Sequence, residues 1–261
     1  MRCEIRLLGG LTERAGAPRV EVEVPPGTTV ARLREAVGEQ HPSLAPLLGR
    51  VKVAMDLEVA DEDAVVVPDA QLALLPPVAG GAEPRTAGTP PEPPDEAPDD
   101  VGVGTPTPKV RGDGRRTSTG LARAPLDLDA ATSAVVGPEV GGTAVFVGSV
   151  RDHAPDLDVP VTHLEYSAYP EMAEHTLAVI AEELLDERPQ LQGVALHHAV
   201  GRLPVGEHTV LIACGAAHRD EAFDACREAL ERVKDRVPVF KREITEDGAH
   251  RWVGLDACGG H

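Results

Sequence analysis

The chain is poor in aromatic residues and in long apolar runs. Aromatic side chains make up 2% of its 261 residues, so its cores must be built from the Val, Leu and Ala that dominate an apolar content of 42%. No apolar run approaches the 18 residues of a membrane-spanning helix, and the opening MRCEIRLLGG lacks the apolar region of a signal peptide. These absences predict a soluble, cytoplasmic protein with no membrane partner.

Basic residues and cysteines are also scarce. A formal net charge of −18 argues against a surface that binds nucleic acid or an anionic membrane. The four cysteines form no CxxC pair, and Cys214 and Cys226 lie within apolar patterns. The spacing therefore favours buried, inert thiols over disulfides or a metal site. Cys258 has no partner that the sequence identifies.

The first 80 residues carry the patterns of a small α+β domain. Strands are predicted at 1–8, 20–24, 51–55 and 71–75. Thr28 or Thr29 is predicted to cap one helix, whose apolar positions follow helical spacing. One helix across a mixed sheet is the expected architecture.

Residues 82–124 are predicted to be a disordered linker. They contain eight prolines and six glycines and no aromatic residue. A segment of this composition has too little apolar surface to bury a core of its own.

Order is expected to return at Pro125, in a second α+β domain over residues 125–261. The predicted elements are strands at 143–150, 159–168, 193–200 and 208–214, a helix opened by Pro170, a helix at 219–236 that buries Phe223, Cys226, Leu230 and Val233, and final strands in VFKREI and HRWVG.

Two lysines stand out at the end of the second of these helices. The chain has four lysines against 21 arginines, and Lys234 and Lys241 lie seven residues apart. A desolvated lysine becomes a nucleophile or base where arginine does not. The segment 232–242 also holds five cations and one acid, which favours an anion site. The alternative is a solvated helix end whose cations complement the helix dipole.

The order of elements in residues 1–81, with the ending PPVAGG, resembles the small sulfur-carrier subunit of molybdopterin synthase. The resemblance implies a ubiquitin-like β-grasp fold, with Gly80 and Gly81 as the carrier terminus. It also implies an activating enzyme that adenylates the terminal glycine and converts it to a thiocarboxylate. Because Ala82 follows Gly81, a protease that cuts between them is expected. Paired glycines are otherwise a flexible exit from a domain.

Longer motifs resemble the large, catalytic subunit of the same family: FVGSVRDH (146–153), LEYSAYPEMAE (164–174), VGRLPVGE (200–207), AAHRDEAFDACREALERVKDRVPVFKRE (216–243) and RWV (251–253). The resemblance implies an α/β-hammerhead domain and a natural fusion of both subunits, with the carrier first. It also implies a dimer formed through the catalytic domain.

The family converts a cyclic pyranopterin monophosphate into the dithiolene molybdopterin by two sulfur transfers. No cofactor or metal is expected for this step. The resemblance identifies Lys234 and Lys241 as catalytic. The substrate-binding positions that it implies are Ser149, Val150, Arg151, His218, Arg219, Arg242 and Glu243.

Some observations leave alternatives open. His197 and His198 are adjacent on a predicted strand, point to opposite faces and make a poor metal pair. Ala199 stands where the family commonly has Arg, so one supporting cation is missing. Two other functions remain: a carrier fused to a ligand-binding module without catalysis, and an uncut fusion served by a separate carrier. The scarcity of lysine argues against the first.

Overall fold

The structure, a computed structural model, describes residues 1–77, 103–154 and 159–254. They form an N-terminal and a C-terminal domain, each with buried cores of its own. No helix in these described ranges is long and apolar enough to cross a membrane.

The N-terminal domain is a five-stranded sheet with one long helix packed on it. Its elements are β1 (Arg2–Leu7), α1 (Gly10–Ala15), β2 (Arg19–Glu23), α2 (Val30–Gln40), a short 3-10 helix (Ala45–Arg50), β3 (Lys52–Met55), β4 (Glu58–Val59) and β5 (Leu72–Leu75). The strand order is β2-β1-β5-β3-β4, with β1 and β5 parallel at the centre. Thr29 caps α2 by accepting a hydrogen bond from the Arg32 amide at 3.4 Å. The predicted β-grasp arrangement is confirmed.

The C-terminal domain is built around one long strand, β10. Its elements are β6 (Thr107–Val110), β7 (Arg116–Arg123), α3 (Leu128–Val135), β8 (Gly142–Ser149), β9 (Val161–Ala168), α4 (Pro170–Glu187), β10 (Leu191–Pro204), β11 (His208–Ala216), α5 (Arg219–Arg236), β12 (Val239–Thr245) and β13 (His250–Trp252). The first part of β10 pairs with β7 and β11, and its last four residues pair with β9. Helices α4 and α5 cover one face of the first sheet and α3 covers the other.

The predicted linker boundary at residue 124 is wrong. Strand β7 pairs in parallel with β10 over eight residues, and Leu121 is fully buried in the core. Strand β6 pairs only with β7 in the described chain, so it is an edge strand, where Pro108 is tolerated. The C-terminal domain therefore includes residues from 103 onward. Residues 82–102 lie outside the described residues.

One predicted core position in α5 is also wrong. The helix spans the expected residues and buries Cys226 and Val233, but Phe223 is 64% exposed. Phe223 lies three residues before Cys226, on the outer side of the buried stripe. An exposed aromatic residue in a chain with only six is a candidate contact surface.

An apolar cluster joins the two domains. Leu8, Ala54, Ala73 and Leu75 come from the N-terminal domain, and Tyr169, Met172 and Phe240 come from the C-terminal domain. Gly9 lies at the centre of this contact with φ +54°, and a Cβ there would lie 3.2 Å from Phe240 Cβ. The absence of a side chain at Gly9 is thus what lets the domains approach this closely.

Ion pairs surround the apolar cluster. Glu13 Oε1 accepts a hydrogen bond from Arg242 at 2.6 Å, and Glu13 Oε2 lies 3.5 Å from His250 Nε2. On the other side, Arg6 contacts Glu171 at 3.3 Å and stacks over the Tyr169 ring at 4.7 Å. These pairs fix the orientation of the domains as well as their contact.

Gly9→Ala should loosen the domain contact, because φ +54° disfavours alanine and the new Cβ would be crowded at 3.2 Å from Phe240 Cβ. Trp252 is the chain's single tryptophan and packs against the interface cluster. Its emission should therefore shift to longer wavelength as water reaches the indole. Gly16→Ala is the control, since Gly16 also has positive φ but nothing within 4 Å. An unshifted spectrum in Gly9→Ala would contradict the proposed contact.

Candidate functional site

The end of β5 enters a cleft between the two domains. Pro76 and Pro77, the residues that follow β5, line this cleft, which has a volume of about 780 Å³. The opposite wall is formed by α4 and by the last turn of α5, where Lys234 lies. The chain therefore brings the start of its PPVAGG segment and one predicted catalytic lysine to the same cavity.

Lys234 is the cation of α5 that remains available in this cleft. Its side chain is 47% exposed, and its amine lies a loose 3.9 Å from Glu231. Arg232, by contrast, contacts Glu183, Glu187 and Glu228, and Arg236 is hydrogen-bonded to Glu183. The two arginines tie α5 to α4. The five cations of residues 232–242 predicted an anion site. These two arginines do not contribute to it, because carboxylates already bind them.

Lys241 lies on β12 in a buried polar cluster. Its amine is 3.2 Å from Glu243 Oε1, and Arg251 donates a hydrogen bond to Glu243 Oε2 at 2.8 Å. Glu243 is only 6% exposed, so its carboxylate is held between two cations away from solvent. Glu243 thus positions Lys241, since one of its oxygens faces the Lys241 amine and the other accepts from Arg251.

Tyr166 and His198 extend this cluster on the same face. Tyr166 is the register partner of Lys241 on β9, and its ring meets His198 edge-on at 5.1 Å. Burial raises the pKa of Tyr166 to about 12, and burial lowers the pKa of His198 to about 4. Both side chains are therefore neutral at pH 7 and add no charge to the cluster. His197 points the other way and bonds Ser118, as the alternation of a strand requires.

Arg242 faces away from Lys241, toward the N-terminal domain. Its guanidinium is 12% exposed and bonds both Glu165 and Glu13. The family resemblance implied that Arg242 binds substrate; in the structure its guanidinium donates to Glu13 of the N-terminal domain and to Glu165 of β9.

Ser149, Val150 and Arg151 lie at the end of β8. Arg151 is exposed, and Ser149 Oγ lies 3.3 Å from His208 Nδ1. Val150 is buried, and its backbone exchanges hydrogen bonds with Glu207 and Gly206. Of these three residues, Arg151 and Ser149 have side chains that are accessible to a ligand, and buried Val150 anchors the segment.

His218 and Arg219 lie at the opposite end of the same strand pair. Arg219 packs against Gly142 at the start of β8, and its side chain is 85% exposed. His218 occupies the N-cap position of α5 without a capping hydrogen bond from its side chain. The seven steps of β8 from Gly142 to Ser149 span about 23 Å. One copy of the chain therefore does not bring Arg151 together with His218 and Arg219.

Two residues that contact predicted site residues were not themselves identified from the sequence. Glu13 accepts a hydrogen bond from Arg242, and Arg251 donates one to Glu243. Arg242 and Glu243 had both been identified from the sequence. Arg251 lies inside the RWV motif, which is a signal for it. Nothing local distinguishes Glu13 from the other acids of the N-terminal domain. Gly80 and Gly81 lie outside the described residues.

Comparisons with known proteins match the two domains separately. A family model described as "ThiS family" matches residues 5–81, and one described as "MoaE protein" matches residues 121–236. The molybdopterin synthase catalytic subunit 1 of Mycobacterium tuberculosis is 44% identical over 134 residues, which are 51% of this chain and 88% of that protein. The chain belongs to the molybdopterin synthase catalytic-subunit family.

The chain is also similar to a second catalytic subunit and, in part, to a solved structure. The molybdopterin synthase catalytic subunit of Nostoc is 38% identical over 54% of this chain and 84% of its own length. The crystal structure of molybdopterin synthase from Staphylococcus aureus is 33% identical, covering 54% of this chain and 96% of that one with a TM-score of 0.48. The chain thus carries a ThiS-type sulfur-carrier domain before its catalytic-subunit domain, and it acts in molybdenum cofactor biosynthesis. We call residues 1–81 the carrier domain and the part from residue 103 the catalytic domain.

Proposed function

We propose that the chain is a sulfurtransferase that is its own sulfur donor. A thiocarboxylate on Gly81, formed after cleavage before Ala82, transfers sulfur to cyclic pyranopterin monophosphate, and two transfers make the dithiolene. The supporting observation is that the carrier domain delivers Pro76 and Pro77 into the cleft that Lys234 lines. The family's function and this geometry point to the same reaction.

The length of the tail fits this cleft. Four residues, 78–81, separate Pro77 from the end of Gly81, and an extended chain of four residues reaches at most about 14 Å. Gly80 and Gly81 suit a narrow approach, because a chain without side chains adopts backbone conformations that other residues avoid. The acyl carbon of Gly81 can therefore lie no more than about 14 Å from Pro77, which lines the same cleft as Lys234.

Each transfer exchanges one sulfur for one oxygen. The thiocarboxylate sulfur forms a bond to a carbon of the pterin side chain as a carbon–oxygen bond at that carbon breaks, with the oxygen leaving as water or staying on the phosphate. Water then attacks the acyl carbon of Gly81 and the acyl carbon–sulfur bond breaks, so that Gly81 ends as a carboxylate and the sulfur stays on the pterin. No electrons are gained or lost overall, so the proposal includes no redox cofactor and no metal. The amine of Lys234 is placed to act at the acyl carbon. Lys241, which does not line this cleft and is paired with Glu243 on the other face of β12, is a cation for the negative charge that develops on the pterin rather than on the acyl group.

The phosphate of the substrate requires a second copy of the chain. Arg151 is at one end of β8, and His218 and Arg219 are at the other. Strand β8 pairs only with β11 in the described chain, and Val145 on it is exposed. Antiparallel pairing of two β8 strands about a two-fold axis would place Arg151 of one copy beside Arg219 of the other. We propose that this dimer binds the phosphate at both junctions.

The dimer can be tested by mixing two inactive variants. Arg151→Ala and Arg219→Ala should each lose affinity for the substrate, because each removes half of the composite site. After mixing and reassociation, half of the dimers are mixed and hold one intact site each, so about a quarter of wild-type activity should return. If activity does not return in a sample shown to exchange subunits, Arg151 and Arg219 do not form one shared site across the dimer.

Lys234 should be required for product formation. Lys234→Ala and Lys234→Arg should both fold and both lose at least ~100-fold in rate, because arginine keeps the charge but has no amine that deprotonates. The measurement is dithiolene formed from precursor by thiocarboxylated protein. Lys109→Arg, at an exposed position on β6, is the matched control. A near-wild-type rate in Lys234→Arg would refute a role for the amine.

An activating enzyme that loads Gly81 and a protease that frees it are the partners this function needs. The two alternative functions fit the structure less well. A non-catalytic module would have no use for the buried arrangement of Lys241, Glu243 and Arg251. A separate carrier would compete with the attached domain, which already occupies the docking surface around Phe240.

A further inference from the structure

Strand β13 connects the carrier domain to the cluster around Lys241. It has three residues, His250–Trp252, and pairs only with β12 in the described chain. Successive side chains of a strand point to opposite faces. His250 and Trp252 therefore share one face, and Arg251 takes the other.

The first face of β13 is held by the carrier domain. His250 Nε2 lies 3.5 Å from Glu13 Oε2, and Trp252 packs against the apolar clusters of both the carrier and the interface. Arg242, the register partner of Trp252 on β12, stacks over its indole at 5.6 Å and bonds Glu13. A single carboxylate of the carrier thus contacts both strands.

The second face of β13 holds the catalytic cluster. Arg251 is the register partner of Glu243, and its guanidinium donates to Glu243 Oε2 at 2.8 Å. The other oxygen of Glu243 lies 3.2 Å from the amine of Lys241. The position of Lys241 consequently depends on where β13 places Arg251.

We propose that docking of the carrier domain positions Lys241 through β13. Glu13 and Arg251 are positioning residues: Glu13 fixes β13 from the carrier side, and Arg251 transmits that position to Glu243 and Lys241. The carrier then has two tasks, bringing sulfur and completing the site that uses it. This inference rests on the proposed sulfur transfer, because it assigns Lys241 a catalytic role.

The short ladder explains why β13 needs this support. Three register pairs join it to β12, and its outer edge has no strand partner among the described residues. Short edge elements with few ladder bonds open readily. Without Glu13, His250 loses its acidic partner and Arg242 keeps only Glu165. A loosened β13 releases Arg251 from Glu243.

Two variants separate docking from positioning. Glu13→Gln should loosen docking, seen as a red shift of Trp252 emission and faster amide exchange in β13, and kcat should fall roughly 10- to 100-fold. Arg251→Gln lies on the far face, so it should give a similar fall in kcat with unchanged Trp252 emission. KM for the pyranopterin should change little in both, because neither side chain binds it.

Conservative and matched variants complete the test. Arg251→Lys keeps the charge and should recover much of kcat. The swap Glu13→Arg with Arg242→Glu should restore the Trp252 signal relative to either single change. Glu21→Gln removes a carrier acid whose ion pair with Arg2 lies outside the interface, and it should leave every readout at its wild-type value.

Wild-type kcat in Arg251→Gln would overturn the proposal, as would unchanged amide exchange of β13 in Glu13→Gln. These outcomes differ from a failure of the proposed function. If the wild-type chain transfers no sulfur, that function fails, and the exchange of β13 still reports whether docking orders the strand.

Discussion

The contact between Glu13 and Arg242 is the interaction on which the arrangement of the two domains depends. These residues are 229 positions apart, and the guanidinium that joins them also bonds Glu165. Charge-assisted hydrogen bonds of a largely buried arginine are directional, so they set the orientation of the carrier domain where apolar packing alone would not. That orientation sets where the C-terminal end of β5 lies relative to the catalytic domain, and therefore which cleft receives the tail. It also decides which face of β12 remains for Lys241.

Arginines and lysines have different roles in this chain. Arginines form the structural ion pairs: Arg232 and Arg236 join α4 to α5, Arg242 joins the domains, and Arg251 holds Glu243. The planar guanidinium suits such paired contacts with carboxylates. Lys234 and Lys241 are left at the positions where an amine is useful. With few lysines in the chain, their placement is informative, but the function of the surrounding arginines is not visible until their partners are known.

Local patterns predicted most of the secondary structure. Thr29 and Pro170 mark the starts of α2 and α4, and the apolar spacing of α5 gives its bounds. Strand β7 was missed because it has a polar, glycine-containing sequence. It is ordered by a parallel ladder to β10, whose register partners lie 77 positions further along the chain. Parallel pairing of this kind leaves no local signal.

Only part of the site could be predicted from the sequence, because its other contacts also join residues that are far apart in the chain. Family motifs identified Lys234 and Lys241 as a pair. The structure places Lys234 in the interdomain cleft and Lys241 in the cluster on the far face of β12. The grouping of Arg151 with His218 and Arg219 could not be judged from the sequence, because it depends on the direction of β8 and on a second copy. The family motif of residues 216–243 identified Arg242 and Glu243. Their roles follow from contacts with Glu13 and Arg251, which lie outside that motif.

If sulfur travels on Gly81 of the chain's own carrier domain, a chain that is not cut after Gly81 should be inactive. The decisive measurement uses a full-length chain whose Gly81–Ala82 bond is protected by Ala82→Pro. This chain is verified as uncut by intact mass and assayed with activating enzyme but no other carrier. We expect no dithiolene from it, because an amide-bonded Gly81 has no carboxylate to adenylate. A matched chain with a cleavable junction should be fully active once it has been cut. Turnover of the uncut chain at the wild-type rate would show that sulfur does not travel on Gly81.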